Sequence, residues 1–276
     1  MNAAIITVGD EILLGDIVNS NSSWIAKEIN KLGIECLSIQ TVQDSIKSIN
    51  SCISTVFMSV DIIFITGGLG PTNDDKTKEA LCKYFHSDLI YSNEVMNNIK
   101  KLFSNSKKDY LIDINKSQAF VPSSCNIIQN QYGTAPGMWF HKDNKQLISL
   151  PGVPFEMQKM MKVVLQKIKS NLKLSFIISR TVTVFDIPES YLSQMIESWE
   201  KALDKDIKLA YLPNGSKVNL RLTARGPNSN FLNKKLDSEL NKLSKLISFV
   251  DVTVSIEKRL ADLLIRNGYT ISVAES

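Results

Sequence analysis

The chain has 276 residues, of which 43% are hydrophobic and 22% are charged, and its formal net charge is +4. This length predicts about two domains. No apolar run approaches the ~18 residues that a membrane-spanning helix needs, and residues 1–4 lack the basic region of a signal peptide. We therefore expect a cytoplasmic protein. Residues 1–90 carry 6 Lys/Arg and 11 Asp/Glu, whereas residues 91–276 carry 26 Lys/Arg and 17 Asp/Glu. The acidic first part suits a divalent-metal site. The basic remainder favours a solvated surface over a phosphate-binding one.

The first part of the chain alternates apolar strands with amphipathic helices. The run Ala3–Val8 predicts a buried parallel strand ending at Gly9, and Asn21 or Ser22 is predicted to cap the following helix, which Gly33 ends. The same patterns then predict a strand over 34–39, a helix over 46–58, a strand over 61–66 and a helix from about Lys76. This alternation predicts a doubly wound, mostly parallel α/β sheet, which binds ligands beyond the carboxyl ends of its strands.

The remaining elements suggest a boundary near Ser170. Before it we predict a peripheral helical segment over 92–117, a strand over 146–150 and a helix over 155–169. After it, strands over 179–185, 207–212, 218–224 and 250–254 and helices over 190–203 and 230–247 give a β-α-β-β-α-β order, a small α+β domain. We therefore divide the chain into residues 1–170, 171–254 and 255–276, the last with a helix over 256–265 and a strand beginning over 270–274.

The segment Gly67–Asp75 has the clearest chemical character. Gly67, Gly68 and Gly70 follow a buried strand directly, and glycines at this position let backbone N–H groups approach a phosphate closely. Asp74 and Asp75 follow, and two interpretations stay open: they cap the next helix, or they hold a metal, since Mg²⁺ prefers carboxylates together with phosphate oxygens. One Asp suffices for a cap, so the pair favours the metal.

Three further loops have a related character. Gly9-Asp10-Glu11 follows the first strand, and its carboxylates would lie beside Asp74 and Asp75 if the first and third strands are neighbours. The segments Gly133–Gly137 and Pro151–Pro154 are also suited to close approach of the backbone to a ligand, although each is equally compatible with an ordinary turn. Four dispersed cysteines and only two histidines argue against a zinc site or a histidine-based triad.

These four segments together resemble the CinA family (competence/damage-inducible protein A). The resemblance lies in Gly9–Gly15 with Asn19–Asn21, in Thr66–Thr72 with Asp74, Asp75 and Thr77, in Gly133–Gly137 and in Leu150–Met157; Val153 departs from the proline common at that position. It implies a molybdopterin-binding-like domain over the first 170 residues, a KH-like domain over 171–252, a cytoplasmic homodimer and a role in nicotinamide nucleotide metabolism.

The resemblance also implies a hydrolase, a metal-dependent ADP-ribose pyrophosphatase that releases AMP and ribose 5-phosphate. We assign Asp74, Asp75 and Glu11 as catalytic, and Asp75, Asp74 and Asp10 as ligands of a divalent metal, Mg²⁺ or else Mn²⁺ or Co²⁺. Predicted nucleotide-binding residues are Gly67, Gly68, Gly70, Thr72, Asn21, Gly133, Thr134, Ala135, Gly137, Pro151, Gly152 and Glu156. Two alternatives remain: binding or transfer of a molybdopterin-like ligand on the same fold, and a non-catalytic scaffold for a deamidase domain.

The basic part of the chain predicts no nucleic acid partner. A KH module clamps nucleic acid with a GxxG loop, and the nearest turn, Pro213–Ser216, has a single glycine. Lys217, Arg221 and Arg225 alternate along a strand, which favours a solvated face.

The segment Thr270–Ser276 resembles the entry to the family's nicotinamide mononucleotide deamidase domain. Ser276 matches its nucleophile, and we expect no deamidase activity from this chain because a nucleophile needs an oriented base and oxyanion donors.

Overall fold

The computed structural model describes residues 1–104, 110–171, 176–251, 256–272 and 274. These form two compact units, Met1–Leu174 and Ser175–Ser276. None of the described helices has the length and apolar character required to cross a membrane.

The first unit is an α/β domain built on a six-stranded sheet. Its elements are β1 (Asn2–Val8), α1 (Asp10–Leu13), α2 (Ser20–Lys31), β2 (Glu35–Val42), α3 (Ile46–Phe57), β3 (Ile62–Thr66), α4 (Thr77–Phe85), β4 (Leu89–Tyr91), α5 (Asn93–Phe103), α6 (Tyr110–Ile114), a 3₁₀ turn (Lys116–Ala119), β5 (Phe120–Pro122), β6 (Asn126–Ile128), β7 (Gly137–Lys142), β8 (Lys145–Leu150) and α7 (Pro154–Asn171). The strand order is β2-β1-β3-β8-β7-β6. The first four strands are parallel and the last two antiparallel, which confirms the mostly parallel sheet.

Helices cover both faces of this sheet. Along β3, Ile63 and Ile65 pack into the hydrophobic cluster that contains α3 and α4, whereas Ile62 and Phe64 pack into the cluster of α2 and α7. All five residues of β3 are buried, as expected for a central parallel strand. The sheet thus brings the carboxyl ends of β1, β3 and β8 to one edge, with β1 and β3 as direct neighbours.

One local prediction for this unit needs correction, and another can be compared with the structure in part. The N-cap of α2 is Asn19, whose side chain accepts a hydrogen bond from Ser22 N, whereas Asn21 and Ser22 lie buried within the helix. The segment predicted as helical and peripheral over 92–117 contains α5, which buries Val95 and Ile99 in a small hydrophobic cluster separate from the two that flank the sheet. Residues 105–109 of that segment lie outside the described residues.

The second unit has the predicted β-α-β-β-α-β order. Its elements are β9 (Phe176–Phe185), α8 (Glu189–Lys201), β10 (Ile207–Asn214), β11 (Lys217–Gly226), α9 (Ser229–Leu243), β12 (Val250–Asp251) and α10 (Ile256–Arg266). The antiparallel sheet has the order β10-β11-β9-β12, and its core packs against α8 and α9.

The end of the chain differs from the prediction. Residues 270–272 and 274 form no strand. The remainder of the strand predicted over 250–254, together with Val273 and Ser276, lies outside the described residues.

Candidate functional site

A cavity of about 490 Å³ lies at the carboxyl ends of β1, β3 and β8. Its walls come from the loops after these strands, from the loop after β2 and from the first residues of α2 and α7. The open edge of a parallel sheet is where ligands bind in α/β folds, and helix N-termini add positive dipole ends that favour anions. The cavity therefore lies where this class of fold binds its ligands.

The first residues of the glycine loop after β3 are held by hydrogen bonds to two segments, the end of β8 and the start of α4. Gly67 N donates to Leu150 O at 3.2 Å, and the buried Thr77 fixes the other side of the loop, with Thr77 Oγ1 donating to Gly67 O at 2.9 Å and Thr77 N to Gly68 O at 3.0 Å. Gly67 has φ +103°, and a Cβ on it would lie 2.1 Å from Val8 O. No other residue fits at position 67 without displacing β1.

Asp75 stabilises this loop from within. Its Oδ1 accepts from Gly70 N at 2.7 Å, and its Oδ2 accepts from Thr72 N at 3.0 Å and from the Thr72 hydroxyl. A Cβ at Gly70 would lie 2.4 Å from Asp75 Oδ2, so this contact requires glycine. Both carboxylate oxygens of Asp75 are therefore engaged in loop structure, and the exposed Asp74 makes no capping bond to α4.

The loop leaves donors available for a ligand. Among the described residues, none accepts a hydrogen bond from the backbone N–H groups of Gly68 and Leu69. Both residues line the cavity. Two such N–H groups on a fixed glycine loop are suitable donors to phosphate oxygens.

Asn21 provides an acceptor in the same cavity. Its Nδ2 donates to Gly152 O at 2.7 Å and to Thr66 Oγ1 at 3.2 Å, and Thr66 in turn donates to Pro151 O at 2.9 Å. Because a backbone carbonyl can only accept, this network fixes which end of the amide faces Gly152. Asn21 Oδ1 is buried and has no hydrogen-bond partner in the described structure, an arrangement that costs about 1–3 kcal/mol unless a donor arrives.

Asp44 is the functional candidate that sequence reasoning missed. It lines the cavity after β2, and its Oδ1 accepts from Lys76 N at 2.8 Å. Burial, and to a smaller extent the neighbouring carboxylates of Asp75, Asp10 and Asp74, raise the pKa of Asp44 to about 6, although the hydrogen bond from Lys76 acts in the opposite direction. The sequence signal that could have identified Asp44 is its position just after a predicted parallel strand, which is also the reason that Asp10 and Asp74 were chosen.

The remaining loops form one wall of the cavity. Asn130 is buried, and its Nδ2 donates to Ala135 O at 2.9 Å and to Glu156 Oε2 at 2.7 Å. This places the Glu156 carboxylate at the cavity beside Ala135. Gly137 lies outside the lining and serves packing, because a Cβ there would meet Met160 Cε at 2.8 Å and Ser149 O at 3.0 Å.

Most of the predicted site residues come together in this cavity. Those that line it are Glu11, Asn21, Gly67, Gly68, Gly70, Asp74, Asp75, Thr134, Ala135, Pro151, Gly152 and Glu156; those that do not are Asp10, Thr72, Gly133 and Gly137. Within the described ranges, no three His, Cys, Asp or Glu side chains form a group that could hold a metal ion. The described residues thus present no ready-made metal site, and the divalent metal stays a prediction.

Two family models match the chain. Residues 4–170 match the one described as "Probable molybdopterin binding domain", and residues 179–248 match "Damage-inducible protein CinA KH domain".

Individual relatives are similar over the whole chain. A "CinA-like protein" of Flavobacterium psychrophilum is 43% identical over 100% of this chain and 67% of its own length, and a "Putative competence-damage inducible protein" of Caldicellulosiruptor saccharolyticus is 35% identical with the same coverages. The chain thus spans about two thirds of the length of these relatives. The crystal structure of "the protein CinA with unknown function" from Thermoplasma acidophilum is 34% identical, with a TM-score of 0.55 over 60% of this chain and 97% of that one.

These findings correct the predicted activity. They support a family and a fold, and none of the proteins named above is described as an ADP-ribose pyrophosphatase. The prediction of ADP-ribose hydrolysis was therefore wrong. In the structure, both carboxylate oxygens of Asp75, the residue chosen as its principal metal ligand, accept hydrogen bonds from the glycine loop.

Proposed function

The chain belongs to the family of CinA-like proteins, and from that premise we propose that its first unit binds a phosphorylated heterocycle of the molybdopterin class in the cavity. The ligand class is suggested by the description of the matching domain family. The observation that carries the proposal is the presence, in one cavity, of two backbone donors without partners and one buried acceptor without a partner.

The donors suit the phosphate of such a ligand. Gly68 and Leu69 offer their N–H groups from a loop that Thr77 and Asp75 already fix. Binding therefore requires little ordering of the loop, which lowers the entropic cost of association. The N-termini of α2 and α7 at the cavity further favour a negative ligand.

The acceptor suits the heterocycle. A pterin carries ring N–H and amino donors, and a polar cavity rejects molecules that cannot satisfy its buried groups. Asn21 Oδ1 can take one such donor, and the Asp44 carboxyl lies in the same lining. Hydrogen bonding to Asn21 would remove the cost of the unpaired carbonyl, which makes heterocycles bearing N–H groups the preferred ligands.

The proposal is tested by titrating the protein with 6-hydroxymethylpterin phosphate and following backbone amide resonances. We expect shifts at Gly68 and Leu69, with affinity at least about tenfold higher than for unphosphorylated 6-hydroxymethylpterin or for ribose 5-phosphate, each of which lacks one half of the ligand. Unshifted Gly68 and Leu69 resonances, or equal binding of ribose 5-phosphate, would overturn it. Repeating the titration in magnesium and in EDTA tests the divalent metal as a separate proposal.

A matched pair of variants isolates the role of Asn21. Asn21→Ala is expected to weaken binding of the pterin phosphate about tenfold, since it removes the acceptor. Asn50→Ala is the control, because Asn50 Oδ1 is also buried without a partner but lies in α3 outside the cavity lining. Equal losses for the two variants would assign the effect to folding and contradict the proposed contact.

A further inference from the structure

Three successive backbone carbonyls of the glycine loop are anchored on the side away from the cavity. The carbonyls of Gly67 and Gly68 accept hydrogen bonds from Thr77. The carbonyl of Leu69 accepts from Gln118 Nε2 at 3.0 Å. Thr77 and Gln118 are both buried and lie outside the cavity lining. Because a trans peptide places its C=O and N–H groups on opposite sides, these anchors turn the N–H groups of Gly68 and Leu69 toward the cavity.

The peptide between Leu69 and Gly70 is the part of this arrangement that could turn over at little cost. Glycine adopts positive and negative φ with similar ease, so a flip of the peptide before Gly70 meets little steric resistance. A flip would turn the Leu69 carbonyl toward the cavity, where its partial negative charge would repel a phosphate. It would also break the 2.7 Å contact of Gly70 N with Asp75 Oδ1. Two contacts therefore oppose the flip: Asp75 holds the N–H, and Gln118 holds the carbonyl.

Lys78 fixes the orientation of the Gln118 amide. The Oε1 atom of Gln118 accepts from Lys78 Nζ at 3.4 Å. A backbone carbonyl can only accept and an ammonium group can only donate, so the amide must present its NH₂ to Leu69 and its oxygen to Lys78. Lys78 Nζ also donates to Ser117 O at 3.2 Å, which connects α4 to the same 3₁₀ turn.

The surroundings of Lys78 make its charge sensitive to pH. Burial lowers the pKa of Lys78 to about 8. Three neighbouring groups act in the opposite direction: Cys82, Asp75 and Cys125. Burial also raises the pKa values of the Cys82 and Cys125 thiols, that of Cys125 to about 11. Lys78 therefore changes its charge at a lower pH than either thiol.

We propose that Gln118 and Lys78 are positioning residues, which hold the Leu69–Gly70 peptide in the orientation that the phosphate of the ligand requires. The proposal rests on the function proposed for the cavity and adds two residues that do not line it. Neither residue was assigned a role from the sequence, because Gln118 lies 49 residues further along the chain than Leu69.

The first measurement follows the loop without ligand, so its result does not depend on the proposed function. Gln118→Met retains a side chain of similar length but cannot donate to Leu69 O, and hydrogen exchange of the Gly70 amide should become about tenfold faster. The control is Gln129→Met, because the amide atoms of Gln129 are buried without a described partner. Unchanged exchange at Gly70 in Gln118→Met, or an equal increase in the control, would overturn the proposal.

The second measurement is titration with 6-hydroxymethylpterin phosphate. Gln118→Met should bind it about tenfold more weakly than the wild type, whereas unphosphorylated 6-hydroxymethylpterin should bind within about twofold, because it makes no use of the loop donors. Equal losses for the two pterins would reject the positioning role. If the wild type bound neither pterin, the proposed function would fail, and exchange at Gly70 would still decide whether Gln118 holds the peptide.

The pH dependence of the ligand-free protein isolates Lys78. Between pH 7 and pH 9 the protection factor of the Gly70 amide should fall by about threefold in the wild type, since a neutral amine donates a weaker hydrogen bond to Gln118 than an ammonium group does. Lys78→Arg should retain full protection, because a guanidinium stays protonated over this range. Parallel profiles for the two proteins would exclude Lys78 from the positioning role. Circular dichroism melting of each variant verifies that it is folded.

Discussion

The cavity of the first unit and the exposed side of β11 in the second differ in how their polar groups are held. In the cavity, Thr77 and Asp75 fix the glycine loop, and Asn21 is held by two hydrogen bonds. On the exposed side of β11, Arg221 extends from the strand into solvent without a described ion-pair partner. A preorganised site can therefore be identified from buried polar groups that have no hydrogen-bond partner, whereas a surface site can be identified only from its charge.

The largest expected effect contrasts two glycines, one from each unit. Gly67→Ala places a Cβ against Val8 O in a backbone conformation with φ +103°, and we expect the first unit to lose about 3 kcal/mol of stability. Gly215→Ala is the control, because it has φ +61° but no atom within 4 Å of its Cβ, so it should cost the second unit about 1 kcal/mol.

Urea unfolding followed by amide hydrogen exchange in each unit measures both effects. Equal losses of stability in the two variants would mean that the glycine loop adapts to the added Cβ. The cavity would then not be more rigid than the surface of the second unit.

A smaller effect is expected from Asp44, in the pH dependence of binding. Its pKa of about 6 lies above the ordinary value of 3.8, so the carboxyl ionises in the fold as the pH rises through about 6. The ionised form repels a phosphate, and affinity for the pterin phosphate should fall by about fivefold, or about 1 kcal/mol, between pH 5 and pH 8, on the order of one added like-charge contact. Asp44→Asn should remove this fall.

The same variant gives a stability readout with a definite sign. Between about pH 4 and pH 6 the folded protein retains a proton on Asp44 that the unfolded chain has lost, so this group makes the first unit less stable as the pH rises. Melting temperatures of the wild type and Asp44→Asn should therefore diverge in favour of the variant across that window. Since the phosphate of the ligand also titrates near pH 6, only the difference between the two proteins is diagnostic. Parallel pH profiles would exclude Asp44 from the site.

Much of the fold followed from local patterns in the sequence. The β-branched runs of β1 and β3, each ending at glycine, predicted neighbouring strands of a parallel sheet, and the register places them side by side. The strands β4, β5 and β6 have only three residues each. Segments this short show no periodicity, and their pairing is decided by tertiary contacts.

The site was only partly accessible to sequence reasoning. Asn21 was predicted to bind a ligand, and the structure adds the reason for interest in it, an acceptor without a partner. Asp75 was predicted as a metal ligand from its residue type and its place beside Asp74. Its contacts with Gly70 and Thr72 could not be foreseen, because they depend on a loop conformation that composition does not encode. Asp44 was missed because only the carboxylates that follow the first and third strands were considered as site residues, and Asp44 follows the second strand.

The smallest expected effect tests whether the exposed side of β11 is independent of folding. Arg221→Gln should change the stability of the second unit by less than about 0.5 kcal/mol, because an exposed side chain without a described ion pair contributes little to folding. The neighbouring Leu220→Ala, on the buried side of the same strand, should cost about 3 kcal/mol. Denaturant unfolding measures both. If Arg221→Gln were as destabilising as Leu220→Ala, the Arg221 side chain would be part of the packing of the unit, and the contrast with the fixed groups of the cavity would fail. A stable Arg221→Gln would instead support the solvated face that the alternating pattern of β11 predicts.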